Sequence, residues 1–101
     1  MERDPFDIEG AEAAEAEREQ RAKLEALRVA EDLKWLLSSK RGRRIVFRLL
    51  QETGIYRSSF NTNALQMSFN EGNRNTGLKL LAAITEASPE RYTEMIEESK
   101  Q

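Results

Sequence analysis

The chain has 101 residues, a net charge of −2, and neither Cys nor His. That length fits one small domain, and the two missing residue types exclude disulfide scaffolds, zinc fingers, thiol nucleophiles and imidazole general bases. The small net charge hides an uneven distribution: residues 1–33 hold 11 acids and 5 bases, residues 34–57 hold 1 acid and 7 bases, and the remainder holds 6 acids and 4 bases. Partners are therefore judged from the segments rather than from the whole-chain charge.

Residues 1–10 combine Pro5 and Gly10 with acids, and only Phe6 and Ile8 are sizeable apolar groups. This composition reads as a flexible acidic arm, either simply a frayed terminus or a peptide that docks on a partner through Phe6 and Ile8. An acidic, Ala/Glu-rich beginning is the opposite of a secretory signal. No apolar run approaches the roughly 20 residues that span a bilayer, so no membrane anchor is expected.

Residues 11–38 are dense in Ala, Glu, Arg, Lys and Leu, which favour a long helix. Ala22, Ala26, Val29, Leu33 and Leu36 recur at helical spacing and mark one apolar stripe. Leu24, Leu27 and Trp35 lie off it, and the first turns offer little beyond alanine. The helix is longer than the rest of the chain can cover, so it should project in part and meet a partner, with Leu24 and Leu27 as contact residues.

The stretch Ser38-Ser39-Lys40-Arg41-Gly42-Arg43-Arg44 concentrates positive charge at the start of the next helix, expected near Gly42–Thr53. The N-terminal end of a helix already repels cations. Ser39 suits the N-cap and Gly54 a left-handed C-terminal residue. On a helical wheel Ile45, Val46, Leu49, Leu50 and Thr53 share one side, while Arg41, Arg44 and Arg48 line another at i, i+3, i+7. Arg43 alone points toward the apolar side, where it must snorkel or find a partner. Two readings of the basic line stand open. It is a solvated face balanced by Glu25, Glu31 or Asp32 of the first helix, or it binds an anion such as phosphate through Lys40, Arg41, Arg44 and Arg48, with Arg57 and Arg74 extending the patch.

Residues 55–63 read as a loop with aromatic anchors, after which Thr62 or Asn63 caps a third helix within Ala64–Ala87. Gly72 and Gly77 each weaken that helix by about 1 kcal/mol relative to Ala, which suggests either a close helix crossing or a break between a short helix and a longer one, and both are candidate protein contacts. Asn70 and Asn73 fall on its apolar face, where they either fix helix register through hydrogen bonds or face a partner. Ser88-Pro89 restarts the chain as a short last helix with Tyr92, Met95 and Ile96 as its stripe. The expected architecture is all-α: a long N-terminal helix followed by a compact bundle of about three shorter helices. In domain terms this is a flexible acidic arm (1–10), a long, partly projecting helix (11–38) and a small helical domain (39–101). Trp35, Ile45, Leu49, Leu50, Phe69, Leu80, Leu81 and Ile84 are the expected core.

Nothing in the sequence supports catalysis. Carboxylates abound, but those near the N-terminus sit on a solvated helix, Glu71 and Arg74 most simply form a surface ion pair, and no phosphate-cradling Gly loop is followed by Lys and Ser/Thr. No catalytic residue, cofactor or metal is expected. One alternative function is a sequence-specific DNA-binding regulator, because Phe47 to Gly72 has the rough rhythm of a helix-turn-helix. The would-be recognition helix, Ala64 to Gly72, carries no Arg or Lys, and the bases lie on the preceding helix instead.

The runs "DLKWLLSSKRGRRIVFRLLQETGIYRSSF" and "FNEGNRNTGLKLLAAITEASPERYTEMIEE" resemble a family of short tailed-bacteriophage proteins. The family is typified by a gene-nineteen product of a short-tailed Bordetella phage. The likeness covers about Asp32 to Glu98 and is carried by Trp35, Gly42-Arg43-Arg44, Arg48-Leu49-Leu50, Gly54, Ser58-Ser59-Phe60, Phe69-Asn70-Glu71-Gly72, Arg74, Gly77 and Pro89-Glu90. It implies a small, multi-copy virion or assembly protein, present in the virion and in the host cytoplasm during assembly. Its implied partners are portal, capsid or head-tail proteins, with non-specific double-stranded DNA as a further contact. The resemblance supplies no catalytic residues.

Overall fold

A computed structural model describes residues 7–101, which form four helices and no strand. Helix α1 spans Ile8–Leu36, α2 Lys40–Glu52, α3 Ala64–Ala87 and α4 Pro89–Ser99. Helix α1 opens inside the stretch read as an arm, because Asp7 caps it: the carboxylate accepts the Gly10 N–H at 2.9 Å. It ends where the Leu37 N–H donates to the Leu33 carbonyl at 2.9 Å.

The other boundaries follow from local chemistry. Ser39 is extended, and its hydroxyl accepts the Gly42 N–H at 3.0 Å, satisfying one orphan donor of α2. Gly54 stops the helix with φ +80, the left-handed conformation that costs glycine least, and donates to the Gln51 carbonyl at 3.0 Å. Asn63, not Thr62, caps α3 by accepting the Gln66 N–H at 3.0 Å. Pro89 takes the first turn of α4. Ser88 precedes it without capping through its side chain, because its hydroxyl donates to the Glu90 carboxylate at 3.0 Å. The connection between α2 and α3 runs from Thr53 to Asn63, far longer than a tight helix-turn-helix turn.

Helices α2, α3 and α4 pack on one another, and α1 lies on α3. The core consists of Leu37, Val46, Leu50, Ile55, Ile84 and Met95, with Leu33, Leu36, Phe47, Leu80, Leu81 and Tyr92 around it. Gly77 sits at the tightest crossing: a Cβ there would overlap the Thr53 hydroxyl and lie 2.5 Å from Ile55 Cγ2. Four expected core residues are instead on the surface: Trp35 is 77% exposed, Phe69 66%, Leu49 48% and Ile45 44%. On α2 the buried line is Gly42, Val46 and Leu50 together with Arg43. Ile45 and Leu49 stand one residue, about 100°, ahead of that line and turn outward. Trp35 falls opposite the Ala22–Leu36 stripe, and Phe69 lies on the part of α3 before Gly77, its first buried residue.

The molecule is elongated. Its radius of gyration is 19.4 Å, against about 13 Å for a compact chain of this length. Helix α1 accounts for this: at 29 residues it is about 43 Å long and contains no buried residue.

Candidate interaction surface

Helix α2 divides its cations between two faces. Arg43 turns inward and is 6% exposed. Its Nη1 donates to the Leu37 carbonyl at 2.9 Å, its Nε donates to Glu98 Oε1 at 2.8 Å, and its Nη2 lies 2.8 Å from Glu98 and 3.3 Å from Glu94. One guanidinium thus joins the end of α1, the body of α2 and one face of α4. Arg91 supports the arrangement by donating to Glu94 at 2.8 Å. That hydrogen bond, together with the Arg43 charge, holds the Glu94 carboxyl below the usual carboxylate range.

Arg41, Arg44 and Arg48 turn outward, are exposed, and form no ion pair among the described residues. Antiparallel packing against Glu25, Glu31 or Asp32 does not occur. Glu25 pairs with Arg28 and Glu31 with Lys34 along α1 itself, and α1 lies on α3. No acid occupies the first turn of α2 to offset the cluster. Ile45 and Leu49 share this outward face, so it alternates guanidinium with aliphatic surface. Lys40 and Arg44 also rim a groove of about 370 Å³ floored by Phe47 and Met95.

The structure does not gather all six predicted cations. Arg57 lies beyond the far end of α2, its guanidinium beside Gly54, in a small polar cleft with Ser58, Ser59, Asn70 and Asn73. Arg74 is half-buried on α3, lines neither cleft and does not pair with Glu71, contrary to the surface ion pair expected there. Asn70 accepts from Gln66 at 2.9 Å and donates to the Ser59 carbonyl at 3.4 Å, so it ties the loop to α3, while Asn73 is exposed.

Among the expected protein contacts, Ile8, Leu24 and Leu27 are exposed, and Phe6 lies outside the described residues. Gly72 is open: beyond its chain neighbours and its own helix backbone, nothing lies within 4 Å of where a Cβ would stand. Gly77 is not available to a partner, because Thr53 and Ile55 of the same chain fill the space its missing side chain leaves. The loop anchors also differ from expectation. Ile55 is buried, and Tyr56 stacks on Phe47 with centroids 5.9 Å apart and bonds the Tyr92 hydroxyl at 3.0 Å, but Phe60 is exposed. Sequence reasoning missed Glu94 and Glu98 as the partners of Arg43. Their i, i+4 spacing on a short helix was the available signal.

A family model described as Bbp19-like phage protein matches residues 33–97. The chain belongs to that family. The matched region runs from the last turn of α1 through most of α4, so it contains the outward face of α2, Arg43 and Glu94. The overhanging part of α1 lies outside it. No curated protein and no solved structure matches the chain. Among the described residues there is no group of acids arranged to hold a metal ion, and no helix is long and apolar enough to cross a membrane.

Proposed function

We propose that this Bbp19-like phage protein is a non-enzymatic structural or assembly protein of the virion that docks on other virion proteins through the outward face of α2. The reading places it inside the head or at the portal and head-tail region. The observation that carries it is the exposed line of Arg41, Arg44 and Arg48, which forms no ion pair among the described residues and lies beside Ile45 and Leu49. Arginine beside aliphatic surface is the composition of a protein interface, where charge gives orientation and buried apolar area gives affinity. A surface used only for DNA phosphates gains nothing from two half-exposed aliphatic side chains. Family membership supports the phage setting.

Two measurements test this. The chain should co-purify with particles or with assembly intermediates. Its affinity for duplex DNA should be weak and should not change when Arg41, Arg44 and Arg48 are all replaced with Gln. Absence from every particle fraction contradicts the proposal. So does a DNA-binding salt slope that flattens by about 0.9 for each replaced arginine, which is the signature of phosphate contact.

A further inference from the structure

Toward its C-terminal end α1 is half-buried at Ala30, Leu33 and Leu36, whereas Ala22, Ala26 and Val29 of its apolar stripe are exposed. Toward the N-terminus the same 4-3 spacing runs through Ala22, Glu19, Glu15, Glu12 and Ile8, so an apolar line becomes an acidic ladder with one aliphatic residue at its tip. Glu12, Glu15 and Glu19 stand at i, i+3, i+7. Arg41, Arg44 and Arg48 on the outward face of α2 stand at the same spacing with the opposite charge. Each ladder is about 10 Å long. Glu12 and Glu19 form no ion pair among the described residues, and Glu15 holds only the exposed i, i+3 pair with Arg18 at 2.7 Å, which is readily exchanged. Within one copy the ladders stay apart. At least about 25 Å of straight helix separates Glu19 from the end of α1, and no ion pair joins α1 to α2 among the described residues.

Resting on the reading of α2 as a protein-docking face, we propose that one of its occupants is the acidic overhang of α1 from a second copy of this chain. Glu12, Glu15 and Glu19 of that copy lie along Arg41, Arg44 and Arg48. Ile45 and Leu49 pack against the alanines beside the acidic ladder, where small side chains let two helices approach closely. In a two-fold pair each copy gives its overhang and receives the other, which doubles the contact and covers much of a helix that has no buried residue alone. Assembly is driven by charge and is weakened by salt.

Charge-swap sedimentation of the full chain tests the proposal. Wild type should self-associate at about 0.05 M salt and dissociate substantially at about 0.5 M, where screening shortens the reach of exposed charges. A variant with Glu12→Arg, Glu15→Arg and Glu19→Arg, and another with Arg41→Glu, Arg44→Glu and Arg48→Glu, should each lose self-association by at least about a hundredfold through like-charge contact. Mixing the two should restore a complex. All six positions are exposed, so both variants should stay folded, with cations costing the first turns of α1 some helicity and acids favouring the start of α2, as circular dichroism and melts measured alongside should show. A wild type that stays monomeric at low salt, a glutamate-reversed variant that associates unchanged, or a mixture that fails to associate each overturns it. If the chain is monomeric yet the α2 variant is lost from particles, this inference falls and the docking role of α2 stands.

Discussion

Replacing Arg43 with Met would test whether the inward guanidinium holds the helices together. The side chain is almost fully buried, and its loss would leave the Leu37 carbonyl and the Glu98 carboxylate without their main donor. Breaking a buried ion pair from one side costs about 3–5 kcal/mol. Here Glu98 retains 18% and Glu94 41% side-chain exposure, so both carboxylates can recover some water and the lower end applies, about 3 kcal/mol. For a domain near 100 residues that lowers the melting temperature by roughly 12–24 °C. Urea denaturation of Arg43→Met, Glu98→Met and the double variant should show strong coupling. The double variant should be more stable than Arg43→Met alone by at least about 1 kcal/mol, because no charge is then stranded at that contact. Coupling within about 0.5 kcal/mol of zero, the usual additivity error, would refute the claim that Arg43 acts through Glu98.

Gly77→Ala should destabilise by about 1–3 kcal/mol, because its Cβ enters space held by Thr53 and Ile55. Gly72→Ala, at an open helical position, should stabilise by roughly 0.5–1 kcal/mol, and paired urea titrations read both signs. Glu94 has a lowered pKa through the Arg91 hydrogen bond first and the nearby Arg43 charge, so its contribution is complete above the ordinary carboxylate pKa and is lost as pH falls through the lowered value. Glu94→Gln should flatten the loss of melting temperature below about pH 4. Tyr56 has a raised pKa, from burial first and then its bond to Tyr92, so its contribution is complete below the ordinary phenol range and is lost as pH rises beyond it. Tyr56→Phe should therefore reduce alkaline destabilisation above about pH 10, read by thermal melts across that range.

The elements most legible in the sequence were those with local causes. Ser39, Gly54, Asn63 and Pro89 mark helix ends by their own side-chain or backbone chemistry, and each stands where that chemistry predicts. The close crossing at Gly77 was legible as well, though its neighbour is the same chain. The core was less so, because size and hydrophobicity suggest burial but only packing decides it. Met95 and Leu37 fill the centre, while Trp35, on the side of α1 away from Leu33 and Leu36, and Phe69, on the part of α3 before Gly77, stay outside. The basic line was visible as a helical stripe, and the inward turn of Arg43 could be read from the wheel. Its partners, 51 and 55 positions away in the chain, could not be placed without the docking of α4 on α2. Distance along the chain was the obstacle, not ambiguity of type.

The central claim is that the outward face of α2 binds other virion proteins. It is tested most directly by growing the phage with Arg41, Arg44 and Arg48 of this chain all replaced with Gln and quantifying the chain in purified particles by mass spectrometry. These side chains are exposed and unpaired among the described residues, so the variant should fold with a melting temperature close to wild type. The account predicts that this folded variant accumulates in the host yet is depleted from particles and assembly intermediates by at least about tenfold, the equivalent of 1.4 kcal/mol of lost contact. Incorporation of the folded variant at the wild-type level would contradict it.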